Sequence, residues 1–389
     1  MQKFKVMVVL GIRPDFIRTS KVLRLLKNHP KIDAVFVHTG QHYDRELNSV
    51  FFEELNVPFP DIQLDCRGTH CQQHSKLIAQ LEPVIKEQKP DVCLFLGDAN
   101  ATIGCIAPLK LGVPIAHIEA GMRSYDWNMP EERNRVVIDR VSNVLYVYQD
   151  DYRVQLVQEG IDPSKIVVVG NVIVDVIKEH EEKFEWDEDP CHICDKTKNI
   201  LLESVCSAHQ IRNKRYALMT LHRDEHMRNP ELAQKIINDV GVATESRGLP
   251  VVLIEMPRLK ALGLKYPWHF IVRPPLGYFE FGSLEKNAAI EYTDSGTNQE
   301  SASIFGTPCV VTRECTERPE CRDCGTTLLS GYNAIELATY EVLKARRNPN
   351  FSLGDGNSSQ RIVDDLVNRL ELGFDCRWFN FKERHSALL

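Results

Sequence analysis

The chain has 389 residues, of which 43% are hydrophobic and 26% are charged, and its mean hydropathy is -0.27. These values indicate a globular protein of about two domains. The net charge of -7 argues against a nucleic-acid partner, and no run reaches the roughly 20 apolar residues of a membrane span. The apolar N-terminus lacks a small-residue cleavage site and predicts a first strand, so we expect a cytoplasmic protein without a membrane partner.

The first half of the chain alternates strands with helices. Apolar runs predict strands at 4–10, 34–37, 91–96, 113–118, 144–147 and 166–169. Most of these strands end in polar or glycine-rich residues. After the first strand, apolar residues recur at the spacing of a helix. This repeat favours a parallel, doubly wound sheet, which binds ligands at the carboxyl ends of its strands.

A charged stretch that ends at Pro190 marks a predicted domain boundary, and segment 187–213 reads as a linker or insertion. Further strands are predicted at 216–220, 250–254, 270–272, 288–290 and 308–311, and helices at 334–346 and from 359. We therefore predict a Rossmann-like domain over 1–186 and a Rossmann-like nucleotide-binding domain over 187–358. Residues 359–389 are predicted to form a helix and tail, with the helix packed on the N-terminal domain. This α/β pattern is the GT-B arrangement, two Rossmann-like domains with an interdomain cleft.

The 12 cysteines are expected to be free thiols, as is usual in a cytosolic chain. Cys191 and Cys194 have the spacing of half a zinc site, and so do Cys321 and Cys324. Nothing in the sequence brings the two halves together, so we expect no metal.

Two strand-to-helix turns could bind phosphate. Arg13 lies in the first turn, where a helix N-terminus favours anions, although it could be an ordinary surface arginine beside Pro14. Ser295 and Gly296 follow a strand in the second half and could expose backbone N–H groups to a phosphate. The alternative for this pair is a simple helix N-cap.

Asp98, Glu119 and Glu131 are candidate general acids and bases, because carboxylates placed together in a partly dry site can have raised pKa values. Asp98 could instead be an N-cap, and Glu131 could simply complement the helix dipole after Pro130. His222 follows an apolar strand and could exchange protons or bind phosphate. Its alternative is a hydrogen-bonded core histidine.

Taken together, these motifs resemble the UDP-N-acetylglucosamine 2-epimerase family, including its relatives that act on other UDP-2-acetamido sugars. The resemblance runs from about residue 4 to about residue 370. The segments that carry it are 11–14, 38–42, 97–98, 117–123, 130–135, 170–171, 222–223, 293–296 and 316–320.

The resemblance implies a GT-B homodimer and a reaction without metal or cofactor. A base removes the C2 proton of the sugar while UDP leaves from C1, and UDP then adds back to the 2-acetamidoglucal. By position, the family's catalytic residues match Asp98, Glu119, Glu131 and His222. Its substrate contacts match Arg13, Gln41, His42, Arg135, Arg273, Phe281, Ser295, Gly296 and, beside the ribose position, Glu300.

Five positions depart from the family pattern. They are Asp15 for Glu, Ala99 for Thr, His226 for Asn, Met256 for His, and Ser301 for the acid that would hold the ribose. Most of them fall at nucleotide or allosteric positions, whereas the catalytic carboxylates are kept. We therefore expect that the chemical reaction is retained and that nucleotide binding or the substrate differs from the family pattern.

The sequence thus predicts an isomerase, a non-hydrolysing UDP-sugar 2-epimerase that supplies surface polysaccharide synthesis. Three alternatives stay open at this point. They are a hydrolysing 2-epimerase that releases UDP and free sugar, a GT-B glycosyltransferase, and a non-catalytic nucleotide-sugar binder.

Overall fold

The computed structural model describes residues 3–40, 52–185, 215–348 and 351–374. The chain divides into two compact units. The first unit comprises residues up to 122, residues 127–176 and residues from 354, and the second comprises 123–126 and 177–353.

A parallel sheet of seven strands forms the centre of the first unit, in the order β3-β2-β1-β4-β5-β6-β7. The strands are β1 (Phe4–Leu10), β2 (Ile32–His38), β3 (Ile62–Gln63), β4 (Val92–Leu96), β5 (Ile115–Ile118), β6 (Val144–Val147) and β7 (Ile166–Val168). The central strands are buried along their whole length, which explains their continuous apolar runs. At the carboxyl end of each strand the chain leaves the core, so polar side chains can be placed there.

Helices connect these strands, as parallel pairing requires. They are α1 (Arg13–Asn28), α2 (His70–Gln88), α3 (Ile106–Leu111), α4 (Pro130–Val141), α5 (Asp150–Gln158) and α6 (Val172–Glu179). Short 3₁₀ turns lie at Asn100–Cys105, Pro163–Lys165 and Glu181–Phe184.

The second unit has a parallel sheet of six strands in the order β10-β9-β8-β11-β12-β13. The strands are β8 (Ala217–Thr220), β9 (Val251–Ile254), β10 (Phe270–Arg273), β11 (Ile290–Thr293), β12 (Cys309–Val311) and β13 (Thr327–Leu329). The helices that follow α6 are α7 (Asp224–Met227), α8 (Pro230–Glu245), α9 (Pro257–Lys260), α10 (Tyr278–Asn287), α11 (Gly296–Phe305), α12 (Pro319–Asp323), α13 (Ile335–Lys344) and α14 (Ser358–Leu372).

Helix α14 belongs to the first unit although it lies near the end of the chain. The buried carboxylate of Asp175 on α6 accepts hydrogen bonds from the backbone N–H groups of Ser358 at 3.1 Å and Ser359 at 2.6 Å. An acid at a helix N-terminus satisfies unpaired donors and complements the helix dipole. The apolar face of α14, including Ile362 and Leu366, is buried.

The predicted α/β fold with two parallel sheets is confirmed, whereas the domain limits and the interdomain cleft stay predictions. One strand boundary was wrong, because β11 extends to Thr293 and places Glu291 inside the strand rather than in the following loop. The short strands β3 and β13 were not predicted. In the part of the chain that the structure describes, no helix is long and apolar enough to cross a membrane.

Candidate active site

Glu119 follows β5 directly and has a strained backbone. Its φ is +71°, a left-handed conformation that costs a non-glycine residue of the order of 1 kcal/mol or more. The backbone N–H groups of Glu119 and Ala120 both donate to the carbonyl of Tyr146, at 3.1 and 3.2 Å. The buried carboxylate pairs with Arg18 and accepts a hydrogen bond of 3.2 Å from the hydroxyl of Tyr148. The strain is therefore localised at an acid whose side chain is held on two sides.

Arg18 on α1 links Glu119 to Asp15, and sequence reasoning did not single it out. Its Nη2 lies 3.4 Å from Oδ1 of Asp15, while Oδ2 of Asp15 accepts from the backbone N–H groups of Gly11 and Ile12. Burial raises the pKa of Asp15 to about 6, although Arg18 and the two backbone donors oppose the rise. Arg18 stands three residues after Asp15, a helical spacing that puts both side chains on one face.

Asp98 lies beyond the end of β4 and forms an ion pair with Arg135 on α4. The same guanidinium pairs with Glu132, so one buried cation contacts two carboxylates. Asn134 also donates to the backbone carbonyl of Asp98 at 2.9 Å. The Asp98 side chain is 19% exposed, so a ligand can reach part of it. The N-cap alternative for Asp98 is wrong, because the next turn begins after Ala99.

Glu131 lies in the first turn of α4 after Pro130 and is partly buried. The structure thus places it where an acid complements the helix dipole, as the simpler interpretation predicted. Arg13 is the first residue of α1, and burial lowers the pKa of its guanidinium against the opposing effect of Glu54. The predicted substrate contacts Gln41 and His42 lie outside the described residues.

The buried side chain of His117 contacts the turn that precedes Asp98 and, through Asp139, the turn that follows Glu119. The ring nitrogens of His117 lie 2.7 Å from Oδ1 of Asp139 and 2.8 Å from the carbonyl oxygen of Gly97. The other oxygen of Asp139 accepts from the backbone N–H of Gly121 at 3.1 Å. This chain of contacts connects the turn before Asp98 with the turn after Glu119.

In the second unit, the carboxylate of Asp294 contacts residues from the loop after β8 and from helix α7. Its Oδ2 accepts from the backbone N–H groups of His222 and Arg223 and lies 2.8 Å from Nδ1 of His226. Nδ1 of His222 lies 3.0 Å from Oδ1. Burial opposes ionisation, yet His222 and His226 hold the pKa of Asp294 well below its usual range. The His222 side chain is 43% exposed, so the core-histidine alternative is wrong.

Ser295 is the N-cap of α11, and its hydroxyl accepts from the backbone N–H of Asn298 at 3.3 Å. Gly296 follows, and a Cβ there would overlap the guanidinium of Arg318. Arg318 pairs with Glu317 and, at 3.0 Å, with Glu300. The N-terminus of α11 favours an anion, and the guanidinium beside it is already paired with two carboxylates. Sequence reasoning missed Arg318, although it lies inside the motif 316–320.

Glu300 and Arg273 differ in their pairing. Glu300 is fully buried against Arg318, so its carboxylate acts within the unit. Arg273 at the end of β10 is also buried, and its Nε and Nη1 have no hydrogen-bond partner among the described residues. A buried guanidinium with two nitrogens that lack acceptors is costly, which makes this position a candidate for a ligand. Phe281 on α10 packs beside the apolar cluster near β10.

Two other residues that depart from the family pattern, and the cysteines, can be located in the structure. Ser301 on α11 bonds to Glu285, and Met256 is the N-cap of α9. Cys321 and Cys324 are buried free thiols and Cys315 is a partly exposed one, whereas Cys191 and Cys194 lie outside the described residues.

Two doubly wound parallel sheets, with acids at the strand ends of one and a helix N-terminus beside an arginine in the other, define an α/β protein of the GT-B class. A family model for UDP-N-acetylglucosamine 2-epimerase matches residues 24–367. The chain belongs to this UDP-N-acetylglucosamine 2-epimerase family.

Relatives from several organisms align along nearly the whole chain. A UDP-N-acetylglucosamine 2-epimerase of Methanococcus maripaludis is 36% identical, over 93% of this chain and 98% of the relative. A UDP-2,3-diacetamido-2,3-dideoxy-D-glucuronate 2-epimerase of Pseudomonas aeruginosa is 35% identical, over 93% and 99%. The crystal structure of the Methanocaldococcus jannaschii UDP-GlcNAc 2-epimerase in complex with UDP-GlcNAc and UDP superposes with a TM-score of 0.82, at 36% identity over 94% and 100%.

Proposed function

We propose that this protein is an isomerase that inverts the configuration at C2 of a UDP-2-acetamido sugar. The observation that carries the proposal is the strained, doubly held carboxylate of Glu119 at a strand end. Strain of this kind persists only where the surrounding structure holds it, and it is frequent at active sites. The full-length similarity to 2-epimerases supports the same reaction.

In the proposed reaction, a carboxylate of the first unit removes the C2 proton while the C1–O bond to UDP breaks. The product of this elimination is a 2-acetamidoglucal, and UDP adds back to C1 as a proton is delivered to the opposite face of C2. Asp98, Glu119 and Glu131 supply the acid and base groups. Positioned groups of this kind contribute roughly 10²–10⁴-fold each.

Arginines of the first unit take two different parts in this proposal. Arg18 and Arg135 orient Glu119 and Asp98, because each forms an ion pair with its carboxylate. For Arg135, the diphosphate contact implied by the resemblance stays a prediction. Arg13, at the first helical residue of α1, contributes positive charge for the diphosphate.

The second unit supplies anion-binding groups in the proposal. Ser295, Gly296 and Arg318 hold the diphosphate, and His222 exchanges a proton with it or with the sugar. Glu300 acts through Arg318 rather than on the ribose, since it is fully buried against that arginine. Arg273 and Phe281 bind the uridine, for which the unpartnered nitrogens of Arg273 provide donors.

Proton NMR in heavy water tests the reaction with a panel of UDP-2-acetamido sugars, including UDP-GlcNAc and a UDP-diacetamido-uronate. We expect deuterium at C2 of both epimers and no lasting release of UDP. Epimerised product that keeps its C2 proton would contradict the mechanism. Accumulating UDP in phosphorus NMR would instead indicate the hydrolysing reaction.

Two variants test the residues. Glu119→Gln and Asp98→Asn should each lower the rate of C2 exchange by about 100-fold or more. Glu82→Gln removes an exposed acid on α2 of the same unit and should leave the rate unchanged. A Glu119→Gln enzyme with the wild-type rate would reject this residue as catalytic.

We further propose that the domain boundaries lie near residues 186 and 358 and that the product of the reaction supplies surface polysaccharide synthesis. We also propose that the protein is a homodimer. Light scattering after size-exclusion chromatography measures the mass directly. A mass near 44.5 kDa at working concentration would reject the dimer.

A further inference from the structure

The buried His226 contacts the same carboxylate as the exposed His222. Both side chains approach Asp294 through Nδ1, His226 at 2.8 Å from Oδ2 and His222 at 3.0 Å from Oδ1. His226 is fully buried, and its ring packs edge-on against Tyr332 with centroids 5.7 Å apart. One carboxylate thus connects a core imidazole to one that is open to a ligand.

The two oxygens of Asp294 have unequal surroundings. Oδ2 is within 2.8 Å of three donors, namely the backbone N–H groups of His222 and Arg223 and Nδ1 of His226. A carboxylate oxygen offers about two lone-pair directions, so three donors saturate it. Oδ1 makes no well-directed hydrogen bond to the described residues, and Nδ1 of His222 lies 3.0 Å from it. Oδ1 is therefore the oxygen that can accept from the imidazole of His222.

The position of His226 also selects its tautomer. Its Nε2 is buried and has no hydrogen-bond partner among the described residues. A proton on Nε2 would be a buried donor without an acceptor, which is unfavourable, whereas a proton on Nδ1 meets Oδ2 of Asp294. His226 consequently acts as a fixed Nδ1–H donor.

We propose that His226 is a positioning residue for His222. It fills Oδ2 of Asp294 from the core side and so leaves Oδ1 as the acceptor that Nδ1–H of His222 can reach. Nε2 of His222 is then left to exchange a proton with the bound UDP-sugar. This inference rests on the proposed function of His222. The neighbouring charge of Arg223 is compensated by Glu317 at 3.3 Å and does not replace the donor. An orienting partner that fixes the tautomer is a common requirement for a proton-transferring histidine.

A pair of substitutions separates the donor from the bulk of His226. His226→Asn keeps an N–H donor in a smaller side chain, whereas His226→Phe keeps an aromatic ring against Tyr332 without a donor. We expect kcat of His226→Phe to fall by about 10- to 100-fold with KM changed less than about twofold, because only proton transfer suffers. His226→Asn should restore kcat to within about threefold of wild type.

Nitrogen NMR of ¹⁵N-histidine-labelled protein supplies a second readout that a packing role would not affect. We expect His222 to carry its proton on Nδ1 in wild type and in His226→Asn, and to show mixed tautomers in His226→Phe. If His226→Phe does not fold, His226→Leu provides the same comparison.

Wild-type tautomer and kcat in the donor-free variant would overturn the inference, and so would equal losses in both variants. Failure of the proposed function would look different. Wild-type protein would then exchange no C2 proton, while the tautomer of His222 would still report whether His226 positions it.

Discussion

The hydroxyl of Ser301 on α11 donates a hydrogen bond of 2.6 Å to Oε1 of Glu285 on α10. Glu285 in turn lies beside Glu291 on β11, and both carboxyls are buried in the second unit. Burial raises the pKa of Glu285 well above its usual range, with Glu291 adding to the rise, and raises the pKa of Glu291 to about 7. Two adjacent buried carboxyls therefore keep at least one proton at neutral pH.

This acid pair predicts that stability falls with rising pH. In the unfolded chain both groups ionise near pH 4.5, whereas in the folded state they hold their protons to higher pH, so stability is lost as pH rises from about 4.5 through 7. Glu291→Gln should therefore raise the free energy of unfolding by about 2 kcal/mol at pH 8 and have little effect at pH 4.5. Urea unfolding at both pH values measures the difference.

Glu280→Gln is the matched control, because this acid lies on α10 but is only partly buried. It should leave the pH dependence as in wild type. A Glu291→Gln protein less stable than wild type at pH 8 would show that the pair is stabilising when ionised.

Arg18 should be needed for activity although it was not predicted from the sequence. Arg18→Lys keeps a charge but cannot contact Asp15 and Glu119 together with a planar fork. We expect kcat for C2 exchange to fall by about tenfold, since Glu119 loses part of its orientation. Steady-state kinetics with the best UDP-sugar measures this loss. Arg24→Lys, on the same helix and bonded to the carbonyl of Leu55, should change kcat less than twofold.

The raised pKa of Asp15 leads us to expect that kcat depends on pH. Its carboxyl has a pKa raised by burial to about 6, so it protonates as pH falls through this value and stops pairing with Arg18. We expect kcat to decline below about pH 6 in wild type. Asp15→Asn imitates the protonated form and should have a lower kcat that no longer changes through this range. An unchanged acid limb in Asp15→Asn would assign the decline to another group.

Gly296 should be needed for UDP binding because of the adjacent guanidinium. Gly296→Ala places a Cβ against Arg318 and forces that side chain away from the N-terminus of α11. We expect the Kd for UDP to rise by about tenfold, equivalent to roughly 1.4 kcal/mol. Isothermal titration calorimetry measures it. Gly248→Ala adds a Cβ that meets nothing within 4 Å, so it should cost stability through its positive φ but leave UDP binding intact.

The order of the strands along the chain and their parallel pairing could be predicted because these features depend on local patterns. Continuous apolar runs such as 92–96 are buried on both faces, and each is followed by a turn and a helix. The N-cap at Ser295 and the first-turn position of Glu131 also followed from local rules. The strand position of Glu291 did not, because an acid inside a buried strand contradicts its propensity.

The sequence by itself determined the family, the two-sheet fold and the acids at the strand ends, since each depends on residues close together in the chain. Only the tertiary structure decided which partners hold those acids. Arg18 and Glu119 are 101 residues apart, and Asp294 contacts the loop of His222 across 72 residues. Ion pairs and shared hydrogen bonds of this kind depend on side chains that meet only when parallel strands align their carboxyl ends, and no local pattern encodes that meeting.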